Sequence, residues 1–110
     1  GFAHITGSGF YNIPRINQKL SYTITELAEA PPIFSTLQAR AGLGDEEMYS
    51  TFNMGVGFVI ACQKGKAAAL VSYLKKKGEK AWRLGEVSKG GGKNNGAVHM
   101  RANGMNFSLR

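Results

Sequence analysis

The chain has 110 residues, 43% of them hydrophobic and 19% charged, enough for one domain core and too few for two. This composition excludes wholesale disorder, and the longest apolar run, 56–62, falls far short of the roughly 20 residues that cross a bilayer. The formal charge of +7 is lopsided, with a net −2 over residues 1–55 and a net +9 over residues 56–110.

The single cysteine, Cys62, excludes an internal disulfide, and no Cys or His spacing suggests zinc. With no basic-then-apolar leader, this points to a cytoplasmic protein without membrane contact. The chain opens without methionine on apolar Phe2, Ala3 and Ile5, and so reads as part of a longer polypeptide.

Residues 1–15 are rich in turn formers, and Pro14 argues against a regular helix through Ile13. Leu20–Thr25 alternates apolar and hydroxyl residues, the pattern of a half-buried strand. Pro31-Pro32 starts a helix whose Ile33, Phe34, Leu37 and Ala41 share a face and which Gly42 closes. Asp45-Glu46-Glu47 opens a short second helix through Phe52, its carboxylates matching the helix dipole. Val56–Cys62 reads as a buried central strand. Lys66–Lys77 is helical, with Ala67, Leu70, Val71 and Leu74 on one face and Gly78 as its stop. The Lys75-Lys76-Lys77 run then sits at the favourable dipole end of that helix.

Trp82–Val87 reads as another strand. Residues 89–96, with no apolar side chain, read as a flexible linker. Residues 97–110 read as a terminal hairpin or tail, with Asn103-Gly104 as a type I′ turn. The pattern is α+β, a mixed sheet with helices packed on one face.

Thr6-Gly7-Ser8-Gly9 is the one local feature with a chemical flavour. Glycines let backbone N–H groups converge on an anion, Thr6 and Ser8 add hydroxyl donors, and the planar fork of Arg15 could complete a phosphate grip. A bare G-x-G is also an ordinary turn. His4 is a weak candidate for proton transfer, flanked by Ala3 and Ile5, and a hydrogen-bonded structural histidine explains it equally. Asn53 fits a helix stop, while Gly55 and Gly57 would allow close backbone approach. No metal cluster, Ser-His-Asp set or P-loop can be assembled, so no metal site is assigned and the catalytic residue stays unknown.

Two stretches carry a resemblance. Ala3–Phe10 followed by Asn12-Ile13-Pro14-Arg15, together with Glu47–Gly57, resembles the aminoimidazole ribonucleotide (AIR) synthetase family, the phosphoribosylformylglycinamidine cyclo-ligases of purine biosynthesis. Pro31–Phe34 and Ala81–Val87 follow in matching order, so residues 1–88 resemble the C-terminal domain of that family, without its first strand.

The resemblance implies ATP-dependent ring closure of formylglycinamidine ribonucleotide. ATP and Mg²⁺ would be bound mainly by an N-terminal domain absent from this sequence, in a homodimeric parent, and the present chain alone would be inactive. It also implies that Thr6, Gly7, Ser8, Gly9, Asn12, Arg15, Asn53 and Gly55 face substrate. Two departures stand out. Ser8 replaces the middle glycine of the family loop, and Phe10-Tyr11-Asn12 lacks the family's Glu before Asn, so no role of that carboxylate carries over.

The alternatives are a small basic nucleic-acid-binding module, or a domain kept for partner contacts without catalysis. Tyr73 and Trp82 are expected in the core rather than interleaved with lysines on a surface, which weighs against nucleic acid.

Overall fold

The alternating strand at 20–25 becomes the second strand of a four-stranded mixed sheet. The computed structural model describes all residues, 1–110, and no helix in it is long and apolar enough to cross a membrane. In chain order the elements are β1 (Phe2–His4), a 3-10 helix (Gly9–Arg15), β2 (Leu20–Ile24), α1 (Pro32–Ala41) and α2 (Asp45–Thr51). They continue with β3 (Phe58–Ile60), α3 (Ala67–Lys76), β4 (Gly85–Lys89), β5 (Val98–Met100) and β6 (Phe107–Leu109).

The larger sheet has the order β4-β2-β5-β6, with β2 and β5 parallel and the other pairs antiparallel. Period-2 alternation turns Tyr22, Ile24, Val98, Met100 and Leu109 to one face, where all are buried. Phe10 and Ile13 of the 3-10 helix and Met48 and Tyr49 of α2 pack with them in a single core. The fold is therefore α+β with a mixed sheet.

The helix limits agree closely with the sequence. Pro32 opens α1, and Gly42 (φ 66°) and Gly78 (φ 86°) stop α1 and α3 in left-handed conformations. Asn103 and Gly104 both have positive φ, and the Met105 N–H donates to the Ala102 carbonyl at 2.9 Å. That is the geometry of a type I′ turn, set at the tip of a loop longer than the turn itself.

Other expectations change. Residues 1–15 are more regular than their turn formers suggest: β1 pairs with β3, and a 3-10 helix runs through Pro14, whose fixed φ suits that helix and whose missing N–H is tolerated in so short an element. β3 is not a buried central strand. It is shorter than expected and belongs to a two-stranded sheet, with Phe58 and Ile60 exposed, because β1 is its only strand partner. The strand expected at Trp82–Val87 is displaced to Gly85–Lys89, where it pairs residue by residue with Leu20–Ile24.

Residues 89–96 are held rather than free. Lys89 is in β4, Gly92–Asn94 form a 3-10 turn, the Asn95 side chain accepts from the Gly91 N–H at 2.8 Å, and the Gly96 N–H donates to the Leu20 carbonyl at 2.8 Å. Backbone pairing, which hydropathy does not report, orders them. Tyr73 is likewise not in the core but 57% exposed, with the Lys77 ammonium 5.6 Å from its ring centre, whereas Trp82 packs against the core and donates to the Glu26 carbonyl at 2.8 Å.

Candidate functional site

Between β1 and the 3-10 helix the chain must reverse within Thr6–Gly9. The Gly9 N–H closes the turn on the Thr6 carbonyl at 3.1 Å, with Ser8 (φ 74°) and Gly9 (φ 51°) left-handed. Gly9 is required there. A Cβ at this position would run into the Tyr49 carbonyl and lie 2.6 Å from that of Phe52, so only glycine lets the loop seat on the end of α2. Phe10 follows, fully buried edge-on against Tyr49 at 5.0 Å between ring centres.

Asn12 fastens the loop from beneath. Its side-chain amide is fully buried and donates to the carbonyls of Gly9 (2.8 Å), Gly7 (3.0 Å) and, at the limit, Thr6 (3.4 Å). Its Oδ1 is buried with no partner, a polar atom able to take a bound water. These bonds turn the loop carbonyls inward. The N–H groups of Thr6, Gly7 and Ser8 donate to no acceptor in the chain, and these three residues are exposed. Arg15 is exposed at the end of the 3-10 helix, and the only ion pair in the molecule is Arg83–Glu86, so its guanidinium has no carboxylate partner.

The second motif shapes the other side of the seat. Asn53 Oδ1 accepts from the Gly55 N–H at 2.9 Å, and the Val56 N–H donates to the Asn53 carbonyl at 2.9 Å, folding residues 53–56 into a turn with Met54 and Gly55 at positive φ. A Cβ on Gly55 would lie 2.7 Å from Pro31 Cδ, so this glycine packs the turn against the start of α1. Tyr49, under the loop, has its phenol pushed above its ordinary value of 10.0, by burial first and by the Asp45 carboxylate second, and it remains a neutral wall at physiological pH.

Thus Thr6, Gly7, Ser8 and Arg15 are presented to solvent, Gly9 and Asn12 are buried supports, and Asn53 and Gly55 shape the adjoining turn. His4 stands apart, exposed on β1 and stacked on Phe58 across the strand pair at 4.5 Å, with no hydrogen bond to the loop. Sequence reasoning missed the carbonyls of Tyr49 and Phe52 as the loop's seat. Backbone atoms leave no residue-type signature, and the only hint was the shared resemblance of the two stretches.

The chemistry on offer is anion binding: three successive N–H donors, two hydroxyls and a free guanidinium. No three His, Cys, Asp or Glu side chains converge anywhere in the chain.

Residues 1–95 match the family described as "AIR synthase related protein, C-terminal domain". The chain is similar to the phosphoribosylformylglycinamidine cyclo-ligase of Methanococcus vannielii, with 40% identity over 87 residues that make up 79% of this chain and 25% of the relative. It is 44% identical over 95 residues to the enzyme of that name from Clostridium perfringens, covering 83% of this chain and 28% of the relative. The Geobacillus kaustophilus enzyme is 45% identical over 95 residues, covering 84% and 28%. The chain thus matches about a quarter of the length of these curated relatives.

Proposed function

The chain belongs to the AIR synthase related protein C-terminal domain family, and from that premise we propose that it is the C-terminal part of a phosphoribosylformylglycinamidine cyclo-ligase. The reaction is ATP-dependent ring closure of formylglycinamidine ribonucleotide to aminoimidazole ribonucleotide, with release of ADP and phosphate. The chain's share of the work is to hold the anionic substrate, and alone it does not turn over. The remainder of a cytoplasmic, homodimeric parent supplies the binding of ATP and Mg²⁺.

The observation that carries this reading is the union of the two motif stretches. The loop at 6–9 rests on the end of the helix that begins the second stretch, and its N–H groups are left free for a ligand. When bound, ATP activates the amide oxygen of the substrate as a phosphate leaving group, which the neighbouring nitrogen displaces as the ring closes. For that step the reacting atoms must be held in one orientation. A phosphate gripped by the Thr6–Ser8 amides, the Thr6 and Ser8 hydroxyls and Arg15 anchors the far end of the substrate and restricts it to the conformers in which its own nitrogen faces the activated carbon. The Asn12 bonds fix the loop beforehand, so little reorganisation is needed on binding.

The test is a chimera in which this chain replaces the matching segment of the Clostridium perfringens enzyme, assayed for cyclo-ligase turnover and for rescue of a purine auxotroph. Turnover that falls about 10- to 100-fold in the Arg15→Ala version supports the reading. A folded chimera without turnover rejects it. The nucleic-acid alternative draws on the exposed Tyr73 beside Lys77, and a gel shift that weakens steeply with salt would favour it instead.

A further inference from the structure

The core ends differently on its two sides. On one side, a groove of about 910 Å³ with a mostly apolar lining runs between α3 and β3 and, opposite them, β2 and β4. On the other, the hairpin of β5 and β6 closes the core, with Val98, Met100 and Leu109 all but fully buried. Both strands of this hairpin lie beyond residues 1–95, the stretch that matches the family.

What the hairpin closes is the ground beneath the glycine loop. β5 lies against the 3-10 helix, which carries Asn12, and β6 lies against α2, whose Tyr49 and Phe52 carbonyls receive Gly9. Leu109 shares its core with Phe10, Met48 and Tyr49. The loop is therefore held between two elements that rest on the same hairpin. β6 itself is lightly tied, since its one strand partner is β5 and the pairing spans only Phe107–Leu109. Across that pair His99 Nδ1 lies 2.7 Å from Ser108 Oγ, and one Arg101 guanidinium nitrogen donates to the carbonyls of Met100 and Phe107, each at 2.9 Å. These bonds fix the register that turns Leu109 into the core.

We propose that the β5–β6 hairpin braces the substrate loop, and that Leu109, too deeply buried to touch a ligand, is a positioning residue for the reaction. The role in catalysis rests on the cyclo-ligase reading; the bracing does not. Truncating Leu109 leaves a void beside α2, frees the carbonyls that seat Gly9 to shift against the 3-10 helix, and spreads the Thr6–Ser8 N–H groups over more positions. A loop that must be gathered at binding holds the ground state less well, which raises KM more than it lowers kcat.

The test compares the Clostridium perfringens chimera with its Leu109→Ala and Leu109→Ile versions. Hydrogen exchange over residues 6–12 and 48–52 is expected to speed up about tenfold in Leu109→Ala, while exchange over residues 58–61 of the smaller sheet stays as it was. KM for formylglycinamidine ribonucleotide is expected to rise about tenfold with kcat within about threefold, and Leu109→Ile, which keeps the volume, is expected to restore both. Should Leu109→Ala fail to fold, Leu109→Val is read in its place, with the same pattern at about threefold. Exchange that rises equally over residues 58–61 overturns the proposal, because Leu109 then supports the whole fold and not the loop. An active Leu109→Ala chimera with unchanged KM also overturns it and leaves the cyclo-ligase reading intact. An inactive chimera that shows the local loosening counts against that reading and leaves the brace standing.

Discussion

The two sides of the molecule use apolar sequence to different effect. Around the glycine loop, Phe10, Asn12 and Met48 are fully buried, and the 3-10 helix, α2, β5 and β6 share one core. Across the groove, α3 has the more regular apolar stripe and buries nothing completely. An apolar face is thus a demand for a partner, and the 3-10 helix and α2 meet it where α3 does not. The glycine loop stands on the finished half, which is where a pre-organised site has to stand.

The contrast can be broken most forcefully by truncating a side chain in each half. Phe10→Ala removes a fully buried ring from contact with Tyr49 and should cost about 3–5 kcal/mol, enough to unfold a marginal domain. Leu74→Ala in α3 removes a half-exposed side chain beside an existing cavity and should cost the isolated chain less than about 1 kcal/mol. Urea unfolding of both variants tests the difference, and equal losses would show that the groove half is as well packed as the loop half.

A smaller effect is expected at the contact between loop and helix. Gly9→Ala introduces a methyl group against the Tyr49 and Phe52 carbonyls at a φ of 51°, for a loss of about 2–3 kcal/mol. Asn12→Ala removes the donor for the Gly7 and Gly9 carbonyls and should cost about 1–3 kcal/mol. In the active chimera, Asn12→Ala should raise KM more than it lowers kcat, because the loop's N–H donors are then less well placed to hold the ground-state phosphate.

Local chemistry made much of this legible. Pro32 and Gly42 bound α1, three acidic residues open α2, and Asn103-Gly104 turns the hairpin, each through an effect confined to a few neighbouring residues. The failures lie where the outcome depends on distant partners. The β-branched run at 56–62 looks central, yet its place in a sheet is set by which strands come alongside, and only β1 does. Residues 89–96 look like a linker because their order comes from backbone bonds to Leu20 and from the Asn95 side chain. At the site, the tight turn of Thr6–Gly9 was readable from residue types. The support roles of Gly9 and Asn12 were not, since both act on backbone carbonyls.

The smallest predicted effect lies at the other end of the sheet, on the hairpin. His99 Nδ1 is 2.7 Å from Ser108 Oγ, and the ring's pKa is held below its ordinary 6.5 by burial first and then by the positive charges of Arg101 and Arg110. The folded state therefore disfavours the imidazolium, and the unfolded chain takes up the proton first as the pH falls. Stability is full above about pH 6.5 and declines as the pH drops from there toward the lowered folded value, below which both states are protonated and the loss levels off. His99 is half-buried, so screening keeps the effect to a few degrees in Tm at most. Thermal melts of the wild type and His99→Gln from pH 7.5 to 5 should diverge, with the wild type losing more. Parallel curves would mean that His99 titrates alike in both states and that the hairpin carries no electrostatic strain.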